Sequence, residues 1–370
     1  MDRYDDPDRV LTYSYASVND SIVDKVYKYW WRLAFKLVPG RISANLLSML
    51  GNIGSWAALA ILIAFGASYG PGHPWIFALC AFLVFAYHTI DCLDGMQARR
   101  IGVSGPLGEF VDHWFDAMNV FFFPLSFVAA FPVVSPSLAA VLILVSGISD
   151  WVVLREVVKT GKLHFGAISS EEGITLHMLV LVSIPVLGYD FWASPIAGLG
   201  LAPIVVLLAL VVAGHLASII VTLMKIKFDG LGALCVQLAS TAPLAVWTVA
   251  GQVAGQPRWI MTFGLLCIGF VGTRHVGDLL RVRLVGLRYP SLYADLAAGS
   301  AAALVASWLV ATGRVTATWI YAAPMAYVAA TTLAALCGQF YRTVALVRRR
   351  LGTGLFHVPE RQSGLQDRGR

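Results

Sequence analysis

The residues that could do chemistry are gathered in one stretch, Asp91 to Asp116, which reads DCLDGMQARRIGVSGPLGEFVDHWFD. It sets four aspartates, two arginines and a histidine inside strongly apolar surroundings. Asp91 and Asp94 are three apart and Asp112 and Asp116 four apart, so each pair shares one face of a helix. Gly102, Gly105 and Pro106 interrupt the pattern between them and predict a short turn joining two antiparallel helices. At about 1.5 Å per residue, that hairpin brings both carboxylate pairs to nearly the same depth. Gly95, Ala98 and Gly108 are small enough to let a second helix or a ligand come close.

Four carboxylates at membrane depth cannot stand ionised and alone, since a charged side chain at a helix centre costs about 2.5–3.5 kcal/mol on the insertion scale. Two divalent cations would balance them, and an all-oxygen donor set suits magnesium, with manganese as a substitute. Ions paired about 3.5–4 Å apart are the common apparatus for displacement at phosphorus. Arg99 could hold a phosphate through its planar fork. A buried polar cluster tying helices together is a competing reading, and an aspartate-lined path for sodium or protons, as in an ion-coupled transporter, is another.

The elements that must position these groups are membrane helices. The 370 residues are 58% hydrophobic and 13% charged, with mean hydropathy +0.72, which excludes a soluble fold. We expect an all-α, polytopic integral membrane helical bundle. Its ten transmembrane helices lie near 45–66, 74–97, 107–131, 135–155, 172–189, 197–224, 231–252, 259–280, 291–312 and 317–346. An amphipathic helix in the interface plane precedes them, because Ile22 to Val38 interleaves Lys25, Lys28, Arg32 and Lys36 with Tyr27, Trp30, Trp31 and Phe35. Three regions follow: an interfacial amino-terminal segment, 1–44; a transmembrane domain, 45–350; and a disordered tail, 351–370. The net charge of +6 is no nucleic-acid signal. Arg99, Arg100, Arg155, Lys159, Lys162, Lys225, Lys227, Arg281, Arg283, Arg288 and Arg348 to Arg350 fall in alternate loops and the tail, so those loops and both termini are expected in the cytoplasm. The amino-terminal residues contain no apolar run, and no cleavable signal peptide is expected. The five cysteines have no metal-ligand spacing and read as small buried hydrophobes.

The spacing Asp91, two residues, Asp94-Gly95, two residues, Ala98-Arg99, eight residues, Gly108, three residues, Asp112, three residues, Asp116 resembles the motif of the CDP-alcohol phosphotransferases at all eight positions. The likeness extends to the choline and ethanolamine branch through the tyrosine-rich start, the step Val18-Asn19-Asp20-Ser21, and the approach to the first span, Ser43-Ala44-Asn45 through Ser48 to Gly51. Gly105 to Glu109 with Asp112-His113, and Thr160 to Gly173, are also similar to that branch. The approach lacks the branch's proline and has Ser48 for threonine.

The resemblance implies that a phospho-alcohol passes from CDP-ethanolamine or CDP-choline to the hydroxyl of diacylglycerol, releasing CMP. Asp91, Asp94, Asp112 and Asp116 would hold two magnesium ions; Asn45, Gly95, Ala98, Arg99 and Gly108 would line the CDP site. Glu109 and His113 would serve as the catalytic pair, with Asp116 the wider family's candidate for the base. The residues themselves favour His113, oriented by Glu109 one turn away, because a metal-bound carboxylate is a weak base. The resemblance leaves room for a CDP-diacylglycerol-dependent enzyme acting on inositol, glycerol phosphate or serine. Homodimers are common in that family. The host membrane would be endoplasmic reticulum or Golgi in a eukaryote and the inner membrane in a bacterium.

Other polar and aromatic residues offer further roles. Glu171 and Glu172 could face a cationic head group or cap a helix. Trp114, Phe115 and Phe121 to Phe123 could box a quaternary ammonium. Asp150, His177, His215 and the group Arg274, His275 and Asp278 could line a lipid access path or be paired inside the bundle.

Overall fold

The computed structural model describes residues 6, 8–14, 16–165 and 170–359. Helix α1 (Ile22–Phe35) starts where the Ser21 side chain accepts a hydrogen bond from Asp24 N at 3.0 Å. It buries Trp31 and Ala34 against Leu93, and the Trp30 indole N–H donates to Thr89 Oγ1 at 3.0 Å. Ile22, Val26, Tyr29, Leu33 and Leu37 stay exposed, as an interfacial helix requires.

Ten long helices follow: α2 (Ala44–Ile61, extended by a π-helical turn at Leu62–Gly66), α3 (Trp75–Ile101), α4 (Pro106–Ala130), α5 (Pro136–Thr160), α6 (Ser170–Leu187), α8 (Pro203–Lys225), α9 (Leu231–Val253), α10 (Arg258–Val285), α11 (Ala294–Ala311) and α12 (Thr318–Leu351). Short α7 (Tyr189–Ala193) links α6 to α8. Nine of the described helices are long and apolar enough to cross a membrane. The remaining long helix, α4, is the expected span near 107–131; its 25 residues suffice in length, but Glu109, Asp112 and Asp116 lower its hydropathy. Several helices run past the expected limits, α3 to Ile101 and α5 to Thr160, because their polar last turns continue the helix beyond the apolar run.

The predicted turn between α3 and α4 is present. Gly102 ends α3 in the left-handed conformation (φ +72°), which costs glycine little, and Pro106 opens α4 at a position needing no N–H bond. α10 is the most enclosed span and packs on α4, α5, α9 and α12. At Gly269 a Cβ would stand 2.1 Å from the Phe121 ring, so α4 and α10 meet only because that residue has no side chain.

One feature has no counterpart in the hydropathy pattern. Two short strands, β1 (Ser17–Asn19) and β2 (Leu163–Phe165), pair in parallel. Together with Asp6 N donating to Gly286 O (3.1 Å) and Arg9 Nε to Arg283 O (2.9 Å), they lace the segment before α1 across the ends of α10 and α5. Of the expected tail, residues 352–359 are described and Leu355 O accepts from Asn45 Nδ2 at 2.7 Å; 360–370 lie outside the described residues.

Candidate active site

The hairpin of α3 and α4 does what the spacing predicts. One carboxylate oxygen each from Asp91, Asp94 and Asp112 lies within 4.8 Å of the others, and so do one carboxylate oxygen each from Asp112 and Asp116 and a ring nitrogen of His113. Asp112 belongs to both groups. Asp94 is buried, while Asp91, Asp112, His113 and Asp116 are half-buried.

Neighbouring helices hold two of these acids. Ser48 of α2 donates to Asp94 Oδ2, and Tyr87 OH donates to Asp116 Oδ1 at 2.9 Å. Asp91 Oδ1 is buried with no hydrogen-bond partner. A buried, orphaned carboxylate oxygen beside two further carboxylates is expensive unless a cation completes it. Three hard oxygen donors within 4.8 Å of one another suit a magnesium ion, on which they would close at about 2.0–2.1 Å per bond.

The other expected ligand-binding positions gather around this cluster. Arg99 is exposed and makes no ion pair among the described residues; its guanidinium lies 3.5 Å from where a Gly95 Cβ would be. Asn45 Oδ1 is 3.7 Å from the corresponding point at Gly108, which brings the start of α2 against the first turn of α4. Ala98 is half-buried on the last turns of α3.

Glu109 differs from the expectation. Its oxygens do not orient His113. They accept from Arg283 Nε (2.5 Å), Arg283 Nη2 (3.3 Å) and Tyr13 OH (2.6 Å). Both members of this ion pair are buried, so Glu109 finds its counter-charge on α10 and fixes α4 to it. His113 instead stands among carboxylates: Asp112, Asp116 and, on α5, Asp150, with which it interacts electrostatically.

The aromatic box does not form. Trp114, Phe115, Phe121 and Phe122 are core residues, with Trp114 Nε1 donating to Gln339 Oε1 at 3.0 Å. Glu172 is a cap, but for a different helix: it accepts from Ser21 Oγ (2.7 Å) and Val23 N (3.1 Å) at the start of α1. Glu171 pairs with buried His88, whose ring is edged by Tyr27 and Trp31. Outside the spans, partial burial and then the Glu171 charge raise the Asp24 carboxyl above its ordinary range. His177 bonds Ser126 (3.2 Å) and His275 bonds Tyr289 (2.7 Å), both as packing within the bundle. Tyr13 and Arg283 carry no spacing signal, because each reaches the site from a distant part of the chain, whereas Tyr87 lies one turn before Asp91 on α3.

The family model of CDP-alcohol phosphatidyltransferases matches residues 41–251, and the chain belongs to that family. It is 32% identical over 191 residues to an uncharacterized class-I family protein 3 of Dictyostelium discoideum, covering 50% of this chain and 47% of that one. A second such protein, number 2 of the same organism, is 27% identical over 281 residues, 72% and 67% of the two chains. Cholinephosphotransferase 1 of Xenopus laevis is 32% identical over 119 residues, 32% and 30% of the two. The matched region thus spans about half of the first relative and under a third of the cholinephosphotransferase.

Proposed function

We propose that this protein transfers phosphoethanolamine or phosphocholine from a CDP-alcohol to the hydroxyl of diacylglycerol, forming phosphatidylethanolamine or phosphatidylcholine and CMP. The observation that carries the reading is the cluster of Asp91, Asp94 and Asp112 with its orphaned oxygen, on the same hairpin as Arg99, which makes no ion pair among the described residues. Similarity to cholinephosphotransferase 1 supports the donor class. Two magnesium ions held by Asp91, Asp94, Asp112 and Asp116 would neutralise the diphosphate and make its β-phosphorus electrophilic.

The protein's own groups do the rest. Arg99 pairs with the phosphate oxygens, and Gly95, Ala98 and Gly108 leave room for the nucleotide beside Asn45. The lipid hydroxyl oxygen bonds to the β-phosphorus as the bond from that phosphorus to the bridging oxygen breaks, and CMP leaves with the electron pair. The hydroxyl proton passes to a ring nitrogen of His113. The neighbouring Asp112, Asp116 and Asp150 carboxylates favour the imidazolium that results. Glu109 acts as a positioning residue through Arg283.

Residues 45–350 form the catalytic membrane domain in this reading. The loop charges put its polar mouth and both termini in the cytoplasm.

His113→Ala is expected to lower CMP release by about 100-fold or more, with manganese affinity nearly unchanged. Near-normal turnover would move the base to Asp116. Chelation should abolish turnover and magnesium restore it. The deciding experiment supplies purified protein and magnesium with labelled CDP-choline or CDP-ethanolamine plus diacylglycerol, or with labelled CDP-diacylglycerol plus inositol, glycerol phosphate or serine. Lipid-dependent CMP release from either CDP-amino alcohol supports the reading; turnover of CDP-diacylglycerol alone overturns it.

A further inference from the structure

On the far side of α4 from the aspartates lies a second charged site. A cavity of about 410 Å³ opens between α10, α11 and α12. Its charged lining is Arg274, Arg281 and Arg342 against Asp278 and Asp295, three positive and two negative charges, a net of +1. The small Ala334, Ala335 and Gly338 leave it room.

Its walls are fixed. Arg274 Nη1 bonds Asp295 Oδ2 at 2.5 Å, and its guanidinium stacks 4.7 Å from the Tyr293 ring centre. Asp278 accepts from Arg281 (3.1 Å), Tyr293 OH (2.8 Å) and Gln339 Nε2 (2.9 Å). Gln339 also takes the Trp114 indole N–H, closing the cavity toward α4. Trp114 is two residues from both Asp112 and Asp116, some 160–200° round the helix from either, so this cavity does not belong to the aspartate site.

Arg342 is different from the other two arginines. It is exposed, points along the same face as Gln339 and Gly338, and has no ion-pair or hydrogen-bond partner among the described residues. Its depth matters. α12 has 34 residues, about 51 Å at 1.5 Å each, against a hydrocarbon core of about 30 Å. Trp319, 74% exposed near the start of α12, marks one interface by residue type. A core thickness further along, about 20 residues, ends near Gln339, which puts Arg342 at the level of lipid phosphates on the opposite surface. Leu292, also 69% exposed, borders the same opening.

We propose that this cavity binds a phosphate-bearing anion, with the phosphodiester of an anionic phospholipid as the occupant the membrane-facing opening favours. Arg342 supplies the uncompensated charge, and the fixed guanidinium of Arg274 lines the inner wall. The site is separate from the transfer reaction, and its test does not use turnover.

The test is retention of phosphatidylglycerol, against phosphatidylcholine, by the full chain in neutral-detergent micelles, read by native mass spectrometry with thermal unfolding alongside. The wild type should retain phosphatidylglycerol preferentially and unfold at a higher temperature with it. Arg342→Gln should reduce that retention several-fold without changing the lipid-free unfolding temperature, whereas Arg349→Gln, at the exposed end of α12, should not. Inorganic phosphate giving the same stabilisation without lipid would support the site and assign it to soluble phosphate. Equal retention of the two lipids by the wild type, with no effect of phosphate, would overturn the proposal. So would full phosphatidylglycerol retention by Arg342→Gln.

Discussion

Asp112→Asn is expected to reduce CMP release by a factor of about a thousand or more. The reason is its place in the geometry: Asp112 is the one carboxylate common to the group with Asp91 and Asp94 and the group with His113 and Asp116. Asparagine keeps the shape and removes the charge, so both groups lose an anionic ligand together. Loss of about 4 kcal/mol of metal-borne stabilisation corresponds to about a thousandfold in rate. Asp91→Asn touches one group and should cost less. Weaker manganese binding, followed by electron paramagnetic resonance, should accompany the loss. Asp112→Asn turnover above a tenth of wild type would break the link between this carboxylate and the reaction.

Arg283→Met is expected to destabilise the protein by about 3–5 kcal/mol, because it strands the buried Glu109 carboxylate without its counter-charge. Replacing both partners, Arg283→Met with Glu109→Leu, should recover much of that loss, since no charge then remains in the apolar site. Unfolding in detergent followed by tryptophan fluorescence measures both. If the single and double variants unfold alike, the pair is not what joins α4 to α10. Activity should fall in the double variant even where stability returns, because Tyr13 and α10 would no longer fix the first turn of α4.

The carboxylate cluster was legible because it is local. Asp91, Asp94, Asp112 and Asp116 sit on two helices joined by a glycine-proline turn, so helical periodicity alone brings them together. The helix spans were legible from the length of their apolar runs, and α1 from its basic and aromatic interleaving. What escaped depends on long-range contact. Glu109 and His113 are one turn apart, yet Arg283 reaches Glu109 from 174 residues away and its charge decides the pairing. Phe121 and Phe122 could as well have faced a ligand or lipid; enclosure of α4 by α2, α5 and α10 makes them core. The strand Ser17–Asn19 is too short to announce itself, and its partner lies beyond five α-helices.

The lacing of the amino-terminal segment sets an order on biosynthesis. Arg9 bonds a carbonyl made 274 residues later; at about 5–20 residues per second, roughly 14–55 s of translation separate the two. For the last part of that interval, from the end of α4 onward, the ribosome has delivered the hairpin of α3 and α4 but not the arginine that neutralises Glu109. The first turn of α4 therefore stays unfastened until α10 is made. Loop-closure entropy over so long a separation makes this fastening a late and slow step.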